Sequence, residues 1–229
     1  MAQADDQRDT LLYAGEVSVL SSSGEQAPSL LWHNQNGNIA PLPHSGNLSV
    51  GIIKKATRPH RLFDYDFGVV LTGRISGPQH NMEGTLPKGT GYFRELYAHI
   101  RLYIVDITAG IKPQYYGAGD QDLSSGSLLF SNNTHPIPRI SIGLDRWTPI
   151  PGLFGYAEIK GGLTHGWLGD NSEVVKGTLL HYKHIGGRLG GKLPVNISYE
   201  FHHAAQWGGY STVYGDLGND LSAYKTAFL

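Results

Sequence analysis

Glu158 and Glu200 lie on stretches where apolar and polar residues alternate. A glycosidase uses such a carboxylate pair when the two groups are about 5–9.5 Å apart. Nothing in the sequence fixes that distance. A G-x-S-x-G elbow, an H-E-x-x-H helix and a cysteine nucleophile are all missing. The expectation is therefore no catalytic residue and no enzyme, with a glycosidase or lyase kept as the lesser alternative.

Recognition is the better-supplied chemistry. Sugars are held by flat aromatic faces against C–H surfaces and by amides or carboxylates on hydroxyl pairs. Trp207 with Gln206 and His203, flanked by Gly208 and Gly209, offers those types near a strand end. Trp167 with His165 and Trp147 beside Arg146 offer them again. The competing reading is an interfacial aromatic girdle, because Trp and Tyr gather at membrane–water boundaries. Glu95, Arg101, Glu158, Lys160 and Glu200 form a third set, suited to lining a polar lumen that touches a polymer. A charge ladder paired across adjacent strands explains them equally well.

The 11 histidines invite a metal reading. His181 with His184 and His202 with His203 are the obvious pairs, yet on a regular strand each pair points to opposite faces. No metal site and no cofactor are expected. Gly186-Gly-Arg-Leu-Gly-Gly191 lacks the βαβ context of a nucleotide loop and reads as a turn with a close strand approach.

The elements that must position these residues are strands. Val195, Ile197, Tyr199 and Phe201 alternate with Asn196, Ser198, Glu200 and His202. Phe63 to Leu71 alternate with Asp64 to Thr72, and Leu96 to Ile104 alternate with Glu95 to Tyr103. Shorter alternations cover Arg139 to Leu144 and Tyr156 to Lys160. Weaker strand candidates are Leu12 to Leu20, Ser29 to Asn36, Leu48 to Lys55, Asp106 to Tyr116 and Thr178 to Arg188. No helical period stands out. About ten strands result, with no linker or charge block to divide residues 1–229 into domains.

Composition narrows the class. The chain has 229 residues, 31 Gly and 13 Tyr, and only 16% are charged, fewer than the usual share of roughly 25%. A net charge of -1 gives no electrostatic argument for a nucleic-acid partner, and none is expected. No apolar run of ~18 residues marks a transmembrane helix, which says nothing against a membrane barrel. Zero cysteines exclude disulfides and thiolate sites. Met1-Ala-Gln-Ala-Asp-Asp lacks a basic n-region and an apolar h-region, so any signal peptide is expected to be missing from this sequence. Several segments reach about ten residues, against ~5–6 in globular proteins, which favours a barrel wall over a soluble sandwich. The alternative remains a soluble β-sandwich carbohydrate-binding module.

One ordered series of motifs bears on that choice. Pro138-Arg-Ile-Ser-Ile-Gly-Leu-Asp-Arg-Trp-Thr-Pro-Ile-Pro151 leads into Gly155-Tyr-Ala-Glu-Ile-Lys-Gly-Gly-Leu-Thr-His-Gly-Trp-Leu168. Leu180-His-Tyr-Lys183, Gly186 to Asn196 and His203-Ala-Ala-Gln-Trp-Gly-Gly209 follow, and Tyr115-Tyr-Gly117 upstream is compatible. Together they resemble the capsule assembly protein Wzi family of Gram-negative outer membranes. The resemblance implies an antiparallel up-and-down transmembrane β-barrel at the cell surface. It also implies a lectin-like, non-catalytic role in binding or organising capsular or surface polysaccharide, with outer-membrane lipid around it. Family members are about twice this length, so the chain is expected to be the N-terminal half of a larger barrel of even strand number. The apolar faces from Phe63 to Leu71, Leu96 to Ile104 and Val195 to Phe201 should then point outward to lipid.

Overall fold

The computed structural model describes residues 10–24, 26–33, 35–56, 62–77, 89–114, 129–170 and 174–228. Nine long strands form one antiparallel sheet: β1 (Leu11–Ser21), β2 (His44–Lys54), β3 (Phe63–Ser76), β4 (Gly89–Leu102), β5 (Val105–Ile111), β6 (Pro138–Pro149), β7 (Ala157–Trp167), β9 (Leu179–Leu189) and β10 (Ile197–Trp207). Each lies beside its neighbour in the chain, an up-and-down order. Between β7 and β9 comes β8 (Val175–Lys176), which joins β11 (Tyr210–Ser211) and β12 (Gly215–Asp216) in a separate small sheet. The helices are α1 (Ser29–Trp32) and α2 (Leu221–Phe228). The fold is all-β as expected, with nine strands rather than about ten in the main sheet. Among the described residues that sheet does not close, since β1 and β10 each pair on one side only.

The chain packs as two compact units. One holds β1, β2, residues 65–76 of β3 and residues 89–98 of β4. The other holds residues 99–102 of β4, nearly all of β5, and β6 to the end of α2.

Burial in both units is the reverse of a water-soluble sheet. Along β3 the apolar residues Phe63, Tyr65, Val69 and Leu71 are exposed, while Asp64, Asp66 and Thr72 are buried. On β2, Leu48, Val50 and Ile52 are exposed while Ser45, Asn47, Ser49 and Lys54 are buried. In the second unit Ile197, Tyr199 and Phe201 are 54–68% exposed. Among the described residues, fourteen buried side chains are polar or charged and only eight are hydrophobic. The packed side of the sheet is held by hydrogen bonds and ion pairs. Ser49 Oγ and Thr72 Oγ1 are 2.8 Å apart, and Lys112 Nζ donates to Asp66 Oδ1 at 2.8 Å.

Four local expectations are corrected. Ser29 to Asn36 is not a strand: Pro28, at φ -55, leads into the single turn of α1, and Asn36 takes a positive φ of 49. Tyr103 and Ile104 leave the strand to form the two-residue turn between β4 and β5, with Tyr103 at φ 56. β10 begins at Ile197, so Val195 lies ahead of the strand. The unforeseen α2 is eight residues long, too short for a 3.6-residue period to register, and the Asp220 carboxylate caps it by accepting the Ala223 N–H at 2.8 Å. Residues 115–117 lie outside the described residues. No described helix is long and apolar enough to cross a membrane.

Candidate functional site

Register decides which polar side chains meet. β7 pairs with β9, and β9 with β10, without a break. Three rows follow: Glu158, Arg188 and Ser198; Lys160, Gly186 and Glu200; Gly162, His184 and His202. Spacing by two residues puts all of them on one face.

The rows knit into a charged platform. Arg188 donates to Glu158 Oε2 through its guanidinium. Lys160 Nζ reaches Glu200 Oε1 at 2.6 Å, passing over Gly186. A Cβ at Gly186 would stand 2.8 Å from Glu200 Cγ and 3.1 Å from Trp147 Cη2, so the close approach requires glycine. His202 Nε2 lies 3.2 Å from Glu200 Oε2, off the hydrogen-bond direction. Its Nδ1 is 2.7 Å from the Tyr182 hydroxyl. The rings of Tyr182, His184 and His202 stack with centroids 5.3–6.0 Å apart. From β6, Trp147 faces two cations, Lys160 Nζ at 5.1 Å and Arg188 Cζ at 5.2 Å from the ring centre. One face thus carries an aromatic plane, imidazoles, and donors and acceptors in alternation. That set suits a polyhydroxylated ligand. Both carboxylates are engaged by cations.

The residues singled out from sequence divide between two faces. Glu158, Glu200 and Gln206 share the parity of the platform, and Gln206 is exposed at its end. Trp207, His203, Trp167 and His165 lie on the opposite, apolar face. There Tyr224 of α2 packs on Trp207 and lies 6.5 Å from the His165 ring. The Tyr224 ring is 5.2 Å from Trp207 and 5.5 Å from His181, and Phe228 is 5.1 Å from His181, which is fully buried. Lys183 places its ammonium 4.2 Å from the centre of the Phe228 ring and donates to the Phe228 carbonyl, closing the last turn of the helix. His165 touches Trp167 at 4.9 Å and Trp207 at 5.9 Å. Arg101 joins another group, donating from Nε to Asp106 Oδ1 at 2.7 Å. Glu95 belongs to the first unit, where its Oε2 sits 3.2 Å from the Cβ position of Gly68.

The first unit has a comparable hub. Arg74 donates to Asn47 Oδ1 at 2.8 Å, to the carbonyls of Gly37 and Asn38 at 2.7 and 2.8 Å, and to the Tyr92 hydroxyl at 2.9 Å. It fastens the turn after α1 to β2 and β4. His135 packs on Tyr92 with ring centres 4.2 Å apart.

Sequence reasoning missed the partnership of Trp147 with Lys160 and Arg188, and the Tyr182–His202 bond. The signal exists only in cross-strand register, which no single strand displays. The histidine pairs do split between faces as the strand rule requires: His184 meets His202 on one side, and His181 approaches His203 within 6.0 Å on the other. No known protein family, curated protein or solved structure matches the chain.

Proposed function

We propose that the chain is part of an outer-membrane β-barrel wall whose polar face binds and organises capsular or surface polysaccharide without catalysis. One observation carries the membrane part: apolar strand residues are exposed while charged ones are buried. In water that arrangement would waste ~25 cal/mol for each Å² of apolar surface left wet. Facing hydrocarbon, the same residues are in their natural solvent, and the charged side needs no apolar core. The resemblance of the motif series to the capsule-assembly family supports the glycan part. So does the platform of Trp147, Glu158, Lys160, Arg188, Glu200 and His202, whose groups match sugar hydroxyls and ring faces.

The test takes the natural gene product from an outer-membrane fraction and compares boiled with unboiled samples on a denaturing gel. A heat-dependent mobility shift is the expected result. A soluble product with no shift would overturn the membrane reading in favour of a soluble carbohydrate-binding sheet. Retention on immobilised surface polysaccharide, weakened at least tenfold by Trp147→Ala, tests the glycan reading separately. Equal retention of parent and variant would sink the assignment of the platform, and turnover of the polymer would sink the non-catalytic assignment.

A further inference from the structure

Away from the platform, His99, Asp106 and Asp145 bring one ligand atom each to within 4.8 Å of one another. They come from three successive strands, β4, β5 and β6. His99 and Asp106 are buried, 5% and 2% exposed, whereas Asp145 is open to the outside. We propose that this trio is a binding site for a divalent transition-metal ion, with Mn²⁺ and Zn²⁺ the best-matched class.

The local structure holds the donors in place. The turn at Tyr103–Ile104 folds β4 back onto β5, so His99 and Asp106 share one end of a hairpin, with Nε2 and Oδ1 3.0 Å apart. Asp145 sits where the pairing of β6 with β7 slips, between Leu144 and Thr148. Irregularities of this kind re-aim a side chain beside many functional sites. The backbone N–H of Asp145 donates to Asp106 Oδ2 at 3.3 Å and fixes the third strand against the second.

Arg101 Nε, 2.7 Å from Asp106 Oδ1, orients that carboxylate as outer-shell donors do around bound metals. With His99 neutral, two carboxylates and one guanidinium leave a net charge of -1, which a divalent cation overcompensates by one unit. One imidazole with two carboxylates is an unusual set for Mg²⁺ or Ca²⁺ and lacks the sulfur that Cu⁺ prefers, so it suits first-row divalent ions, of which Mn²⁺ and Zn²⁺ are the probes. The exposure of Asp145 supplies an entry path and keeps part of the ion's coordination sphere open to solvent. The competing account is a metal-free ion cluster in which a protonated His99 and Arg101 balance the two aspartates.

The experiment titrates the purified full chain with Zn²⁺ by calorimetry and with Mn²⁺ by electron paramagnetic resonance. Asp145→Asn is the principal variant, since an exposed residue tolerates the change. His99→Gln is the second, and Glu158→Gln, on the platform, is the control. The expected result is one saturable site in the parent and control, with affinity reduced about tenfold or more in Asp145→Asn. Absence of saturable binding up to millimolar metal overturns the site. Binding that is indifferent to Asp145→Asn overturns it too, as does binding abolished only by changing His181 and His203, which would move the ion beneath α2.

Discussion

Lys160 and Glu200 stand two strands apart and still form an ion pair at 2.6 Å, because the residue between them, Gly186, has no side chain. Gly186→Ala puts a methyl group into that gap, 2.8 Å from Glu200 Cγ and 3.0 Å from the Tyr199 carbonyl. The expected loss is about 1–3 kcal/mol, read from the denaturant midpoint of folding in detergent. An unchanged midpoint would show that the pair does not depend on the gap.

Removing one member of the pair should hurt more than removing both. Glu200 is 4% exposed and Lys160 19%, so Glu200→Gln strands a largely desolvated ammonium and is expected to cost about 2–4 kcal/mol. Lys160→Met with Glu200→Leu leaves no charge stranded and should lie closer to the parent. Additive effects of Lys160→Met and Glu200→Leu in the double variant would refute direct coupling.

The exposed apolar positions make a directional prediction. Val69→Arg and Ile100→Arg each place charge at an exposed apolar position, which on the membrane proposal costs ~2–4 kcal/mol near a bilayer midplane. Refolding into lipid vesicles, scored by heat-dependent gel mobility, should fail or slow for both. Variants that insert like the parent would mean that this face does not meet lipid.

Docking of α2 rests on a few contacts that can be removed singly. Tyr224→Ala takes away the ring lying 5.2 Å from Trp207 and 5.5 Å from His181. Tryptophan fluorescence should shift to the red, and the amides of α2 should lose hydrogen-exchange protection. Lys183→Met should act in the same direction more weakly, since it removes the cation at the helix C-terminus, worth about 0.3–1 kcal/mol.

His135, in the segment before β6, predicts a pH response. Burial, and then the nearby Arg74 charge, hold its imidazole below the usual value of 6.5. The folded value lies under the unfolded one, so the unfolded chain binds more protons between the two. Stability is therefore full above about pH 6.5 and declines as the pH falls through the folded value. His135→Gln should remove that part of the acid dependence. Chemical-shift titration of His135 to a midpoint at or above 6.5 would contradict it.

Much of the strand layout was legible because a period of two is a property of one segment read alone. The Phe63–Leu71 alternation became β3, and even the sidedness of His181 against His184 follows from it. The platform was less legible, since Trp147, Lys160, Arg188 and Glu200 come together only through the register of four strands. The local sequence likewise groups Trp207 and His203 with Gln206, although an odd offset puts Gln206 on the opposite face. Tyr103 and Ile104 continue the strand alternation in sequence, because a two-residue turn without glycine carries little local signal.

The scarcity of buried hydrophobic residues, eight among those described, has a thermal consequence. A soluble domain of this length would gain about 2.7–3.4 kcal/mol per kelvin of heat capacity on unfolding, as apolar groups become hydrated. Here the polar side contributes a term of opposite sign, and on the membrane proposal the exposed apolar residues keep their amphiphile contacts when the sheet opens. The increment should be far smaller. A flat stability curve follows, with unfolding enthalpy nearly constant over tens of degrees and cold denaturation pushed out of reach.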